Sequence, residues 1–157
     1  MAMSVLANAM SWSDVSLGDT DVEYTGGSTG SSLAFVSAGF GLKFVAVFSD
    51  AFSQSKQQTM EAFGAEVIVE KSYGKGITPE LIGRMKDRAL AKCDNSNAYC
   101  TDQYASPDVT AGYEPMGQEI IGTLGRDVDL FCAAVGTGGA VMGAWRSWLS
   151  LVQIQAL

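Results

Sequence analysis

Residues 22–48 read VEYTGGSTGSSLAFVSAGFGLKFVAVF. Val22 to Tyr24 is a short strand candidate. A glycine-rich turn follows. Ser28 to Phe40 then carries Leu33, Phe35, Val36 and Phe40 on one helical side, and Gly41 stands where a helix stops. Lys43 to Phe48 is a nearly continuous β-branched and aromatic run, the composition of a strand buried on both faces. Strand, helix and strand in so short a span predict a parallel pair joined by a right-handed crossover.

The alternation continues on both sides. Ala2 to Met10 has helical spacing, and Ser53 to Phe63 predicts a helix ended by Gly64. Glu66 to Val69 is the next strand, and Ser72 to Gly76 a flexible loop. Thr78-Pro79-Glu80 has N-cap, N1 proline and acidic first turn in order, opening a helix to about Lys92. Ala98 to Tyr104 holds a strand candidate. Val109 to Thr123 is helical, with Pro115 at its start. Asp129 to Val135 predicts a strand, and Gly138 to Leu151 a last helix. The expected order is αβαβαβαβαβα: an α/β protein with a parallel sheet and helices on both faces.

Composition narrows the function. The chain has 157 residues, a net charge of −7, 17% charged residues and no histidine. That balance argues against nucleic acid and anionic lipid as partners. No run reaches the roughly 18 apolar residues of a membrane helix; Ala140 to Leu157 comes closest, interrupted by Arg146, Gln153 and Gln155. Met1 to Trp12 lacks the basic start of a secretory leader, so a cytoplasmic location is expected. Without histidine no Ser-His-Asp or Cys-His system can be built, and no metal site is expected. Cys93, Cys100 and Cys132 form no CxxC pair. Three reduced thiols are the expected state, with a Cys93–Cys100 disulfide as the alternative. Leu81, Ile82 and Met85 read as core, and Trp12, Trp145 and Trp148 as packing. Lys71 and Lys75 read as solvated loop charges.

Two glycine loops carry the chemistry. Thr25-Gly26-Gly27-Ser28-Thr29-Gly30 and Gly136-Thr137-Gly138-Gly139 each follow a predicted strand and open a helix, where backbone N–H groups meet an anion. Serving one ligand would require them to converge. The bland reading of the first loop is a tight turn capped by Ser28 or Thr29. The second is neither G-x-G-x-x-G, because Val141 stands at the last position, nor a Walker A motif. Thr101-Asp102-Gln103-Tyr104 is a weaker polar group at a strand end, equally readable as a solvated loop.

The ordered segments VEYTGGSTGSSLAFV, FGAEVIV, TDQYASPD, GYEPMGQEI and VDLFCAAVGTGGAVMG resemble the pyridoxal-phosphate enzymes of the tryptophan-synthase β-like fold, particularly cysteine synthase and cystathionine β-synthase relatives. The likeness runs over about residues 19–145. It implies pyridoxal 5'-phosphate as cofactor and an incomplete version of that fold. Residues 1–135 would form mainly the smaller, substrate-side domain, and residues 136–157 the start of the cofactor domain.

By resemblance, Thr25, Gly27, Ser28 and Thr29 hold the carboxylate of a small amino-acid substrate, as does Gln103. Ser28 stands where cysteine synthases carry an asparagine that touches the cofactor ring. Gly136, Thr137, Gly138 and Gly139 would cradle the cofactor phosphate, with Ala140 replacing a threonine. The family's Schiff-base lysine lies in a Lys-Asp-Arg segment before the first matched helix. None of Lys43, Lys56, Lys71, Lys75, Lys86 and Lys92 has that setting, so no catalytic residue is assigned. The resemblance thus implies β-replacement or β-elimination on serine-derived amino acids, by an internal piece inactive alone. It allows a homodimer, as in the family. The alternatives are a binding module for amino acid, phosphate or a partner chain, and a truncated relic.

Overall fold

The structure is a computed structural model and describes residues 1–96, 98–125 and 128–154. Its elements are α1 (Ala2–Ser11), β1 (Thr20–Tyr24), α2 (Ser28–Phe40), β2 (Lys43–Ser49), α3 (Gln54–Ala62), β3 (Glu66–Glu70), α4 (Pro79–Ser96), β4 (Tyr99–Cys100), α5 (Pro107–Ala111), α6 (Glu114–Leu124) and α7 (Gly139–Ile154). They fall into two compact units. A sheet unit comprises Ala2 and Leu6–Asp102; a helical unit comprises Met1, Met3–Val5 and the chain from Gln103 on. The units part at Asp102–Gln103.

In the sheet unit every strand pair is parallel, in the order β3-β2-β1-β4. The chain steps from β1 through β2 to β3 in one direction, then returns across the sheet to β4. Right-handed crossovers therefore put α2 and α3 on one face and α4 on the other. Val22 and Tyr24 of β1 and Val45 and Val47 of β2 pack against Leu81, Met85, Ala89 and Cys93. Those α4 residues recur every four positions, the stripe an amphipathic helix buries. Each large apolar side chain so buried contributes about 1.5–3 kcal/mol. Thr78 caps α4, its Oγ1 accepting the Leu81 amide at 3.2 Å.

The opposite face of α2 differs from the simplest reading. Leu33, Ala34 and Val36 are buried, but Phe35 is exposed and pairs edge-on with Phe63 at 5.3 Å between ring centres.

In the helical unit, small residues let helices approach closely. Added Cβ atoms at Gly139 and Gly143 would meet Tyr113, at 3.1 and 2.5 Å; one at Gly117 would meet Ser147 at 2.7 Å. Ser147 Oγ donates to the Glu114 carbonyl at 2.8 Å, tying α7 to the start of α6. Val109 to Thr123 is not one helix: it is α5 and α6, with Pro115 in the first turn of α6 where its missing N–H costs nothing.

Four expectations are corrected. Asp129 to Val135 forms no strand; among the described residues it pairs with no ladder, and Leu130 and Val135 are exposed. Apolar β-branched sequence makes a strand only where a partner accepts its hydrogen bonds. The Ala98–Tyr104 candidate shrinks to the two residues of β4. Trp12 and Trp145 are 65% and 53% exposed and are not packing residues, while Trp148 lies against Phe131 with ring centres 5.7 Å apart. Finally, Cys93 and Cys100 form a disulfide, their Cα atoms 6.1 Å apart. The return of the chain from α4 into β4 brings them within bridging range. Cys132 is a free, exposed thiol.

Candidate functional site

In an open parallel sheet the crevice for ligands lies beyond the carboxyl ends of the strands, where the strand order reverses. Here β1 and β4 are neighbours in the sheet but lead away from each other in the chain. The reversal point therefore lies between the end of β1, which runs into Thr25–Gly30, and the end of β4, which runs into Thr101 and Asp102. Asp102 holds an unusual positive φ of 43° for a non-glycine residue. Topology thus gathers two of the three sequence-predicted segments at one edge of the sheet unit.

The first loop is built around Thr25, which is buried. Its amide donates to Val47 O at 2.9 Å, continuing the β1–β2 ladder. Its Oγ1 accepts the amides of Gly27 at 3.0 Å and Gly30 at 3.1 Å. The cap of α2 is therefore Thr25, reaching forward, and neither Ser28 nor Thr29. Gly27, itself the N-cap residue, makes no side-chain cap.

The residues pressing on this loop come from α3 and the turn before it. An added Cβ at Gly26 would meet the Phe52 ring at 2.9 Å. At Gly27 it would meet Lys56 Cβ at 2.6 Å, and at Gly30 Met60 Sδ at 2.5 Å. Phe52, Lys56 and Met60 are spaced by four, one row of the approaching segment. Packing thus dictates the glycines. What remains for a ligand is Ser28, exposed, and Thr29, half-buried. Among the described residues their amides and hydroxyls have no hydrogen-bond partner. Thr25 shapes the loop; Ser28 and Thr29 face outward at a 13-residue helix's positive end.

Beneath the loop lies a feature that sequence reading missed. Asp21 and Glu23 of β1 are both buried. They alternate with Val22 and Tyr24, so they lie on the sheet face away from α4. Thr101 Oγ1 donates to Asp21 Oδ1 at 2.6 Å, joining β4 to β1 by side chains. Among the described residues Asp21 Oδ2 has no hydrogen-bond partner. Burial pushes the Asp21 carboxyl up to about 7, opposed by the bonds from Thr101 and the Val22 backbone. The available signal was an acidic residue at i and i+2 of a strand whose other face is apolar.

The second loop lies in the helical unit and is built differently. An added Cβ at Gly136 or Gly138 would meet nothing within 4 Å. Gly138 has φ +84°, a backbone state that favours glycine. The helix it opens runs 16 residues. Its first amides have no acceptor within the helix, and Met142 N is the first to reach back, to Gly138 O at 3.0 Å. Gly139 is buried under Val109 and Tyr113. Beside α7 is an apolar groove of about 400 Å³, lined by Val128, Leu130, Phe131, Val141, Trp145 and Trp148 among others. Among the described residues of its lining Asp129 is the one that carries a charge.

Gln103 is buried and belongs to the helical unit. Of the lysines, Lys43, Lys56, Lys71, Lys75 and Lys86 are exposed. Lys92, half-buried, pairs with Glu66 at 3.5 Å. A nucleophilic lysine needs desolvation or a cationic neighbour, and none of these has either setting. Among the described residues no group of side chains could hold a metal ion.

The family model for pyridoxal-phosphate dependent enzymes matches residues 2–153. The chain belongs to that family. It is 31% identical over 147 residues to a cysteine synthase B of Pseudomonas aeruginosa, covering 92% of this chain and 47% of the relative. The cysteine synthase B of Escherichia coli is equally similar, with 46% of its length covered. Among solved structures, the O-acetylserine dependent cystathionine beta-synthase from Helicobacter pylori superposes with a TM-score of 0.86 at 28% identity, over 95% of this chain and 47% of that one. The chain spans about half the length of the curated relatives it matches.

The family's cofactor carries a phosphate. The start of α7 fits one: open space over Gly136 and Gly138, unpaired leading amides, and a long helix whose dipole favours an anion.

Proposed function

We propose that these residues serve a pyridoxal-phosphate enzyme of β-replacement or β-elimination on serine-derived amino acids, as in cysteine synthases, one loop binding the substrate and the other the cofactor. The observation that carries the proposal is the pair of open helix starts, with Ser28 and Thr29 at one and Gly136–Gly139 at the other. In this reading the amides and hydroxyls of Ser28 and Thr29, with Gly27 and Gln103, bind the substrate carboxylate. Thr25 holds their loop in shape. Gly136, Thr137, Gly138 and Gly139 bind the cofactor phosphate. The cofactor, when bound, supplies the electron sink for the substrate carbanion. The protein's part is to fix the carboxylate and the phosphate. Residues 1–135 correspond mainly to the substrate-side domain, and residues from 136 on begin the cofactor domain.

On this reading the chain binds without turning over by itself, because its lysines are exposed or ion-paired. A cytoplasmic location and a homodimer belong to the same reading. Equilibrium dialysis of the 157-residue chain with pyridoxal phosphate, inorganic phosphate and O-acetylserine tests it. Gly138→Asp should abolish binding of both phosphates and leave the amino acid bound. Ser28→Ala with Thr29→Ala should do the reverse. Loss of both ligands in either variant of unchanged fold, or no binding by the parent chain, would sink the reading. Borohydride treatment followed by peptide mass mapping should find no lysine modified.

A further inference from the structure

β4 is the weakest element of the sheet unit and stands at its reversal point. It has two residues, paired only as Asp21↔Tyr99 and Val22↔Cys100. Beyond that ladder it is held by the Thr101 amide on Val22 O at 3.2 Å and by Thr101 Oγ1 on Asp21. So short a strand is marginal without other support. Part of its other support is covalent. Cys100 is bonded to Cys93, and Cys93 lies in the last turns of α4, within the core formed with Leu81, Met85, Ala89, Val22 and Val45. A well-packed helix therefore holds a short strand through the disulfide, the Ala98 amide on Cys93 O at 3.0 Å and the packing of Ala98 and Cys100 against its core; of these the disulfide is the one a reductant can open.

We propose that the Cys93–Cys100 disulfide is a redox latch on β4. Closed, it keeps the strand and Thr101 against β1 and so keeps one side of the reversal-point crevice in place. Opened by a dithiol, it lets β4 leave β1 while the rest of the sheet stands. Cys93 is buried and Cys100 half-buried, so the reductant's thiolate attacks the Cys100 sulfur. A mixed disulfide forms there, and the Cys93 sulfur leaves and takes up a proton in its apolar surroundings. The second thiol of the reductant then displaces Cys100 as a thiol. One dithiol is oxidised to its disulfide, and the protein gains two electrons and two protons. The companion strands do not depend on the bond: β2 is flanked on both sides, with five register pairs to β1 and five to β3.

Hydrogen exchange read by mass spectrometry tests the latch in a Cys132→Ser background, which leaves only the two latch cysteines. Dithiothreitol is added to the folded oxidised protein. Peptides covering residues 98–102 should exchange at least about tenfold faster after reduction, the signature of local opening. Peptides covering β2 and residues 81–89 should not change. Reoxidation should restore protection at 98–102. Cys93→Ser with Cys100→Ser should match the reduced state with or without dithiothreitol. Unchanged exchange at 98–102 would overturn the proposal, and so would an equal rise in β2, which would make the bond a staple of the whole unit. This readout uses no ligand, so it stands or falls separately from the proposed function. Where that function holds as well, O-acetylserine should bind the reduced form more weakly than the oxidised one.

Discussion

The two glycine loops look alike in sequence and are opposite in construction. In Thr25–Gly30 the glycines answer to the protein: Phe52, Lys56 and Met60 press on Gly26, Gly27 and Gly30. In Gly136–Gly139 the first two glycines answer to nothing in the chain, for open space lies over Gly136 and Gly138. A glycine forced by packing says little about a ligand. A glycine with empty space above it and a helix start behind it says much more. The feeding segments differ in the same sense. The first loop follows a strand with buried Asp21, and the second follows an exposed stretch with exposed Asp129.

That contrast can be broken, most strongly at Asp21. Its folded carboxyl is raised to about 7 from 3.8. Between those values the folded state holds a proton the unfolded state has lost. The stabilisation is thus complete below about pH 4, declines as pH rises, and is gone above about pH 7. The full span is at most roughly 4 kcal/mol. Asp21→Asn should flatten this part of a urea-denaturation pH profile. Gly27→Ala comes next, since φ +126° and Lys56 Cβ at 2.6 Å both oppose a side chain. About 3 kcal/mol should be lost in urea unfolding.

Thr25→Val keeps the shape and removes the acceptor of two amides, so about 2 kcal/mol should be lost, with Thr25→Ser restoring most of it. Gly138→Ala has room but the wrong φ and should cost about 1 kcal/mol. Gly136→Ala meets neither obstacle and should stay within about 0.5 kcal/mol. If Gly136→Ala destabilised as much as Gly27→Ala, the distinction between the loops would collapse.

The sheet was legible where sequence and partners agree. β1, β2 and β3 lie beside one another, joined by helices whose caps are local, and their composition suits burial. Asp129–Val135 has equally strand-like composition and forms none, because a ladder belongs to two segments and one segment's sequence records only half of it. The loops were legible as loops. The cause of the first loop's glycines was not, since the Phe52, Lys56, Met60 row faces them only after the chain has folded. Asp21 was hidden for a related reason: an acidic residue at a strand's margin reads as loop until the neighbouring strand buries it. The disulfide depends on where the turn after α4 sends the chain, which spacing alone leaves open.

The close packing along α7 has a mechanical meaning. Gly139, Gly143 and Ser147 form a track on which Tyr113 and Gly117 ride with no slack. Ser147 is eight residues past Gly139, about 12 Å along the axis. A bulkier residue there would have to lift the helix or slide it, and the mouth of the second loop would travel with it. The second loop is thus aimed from its far end, and its alignment is a property of a helix junction about 12 Å away.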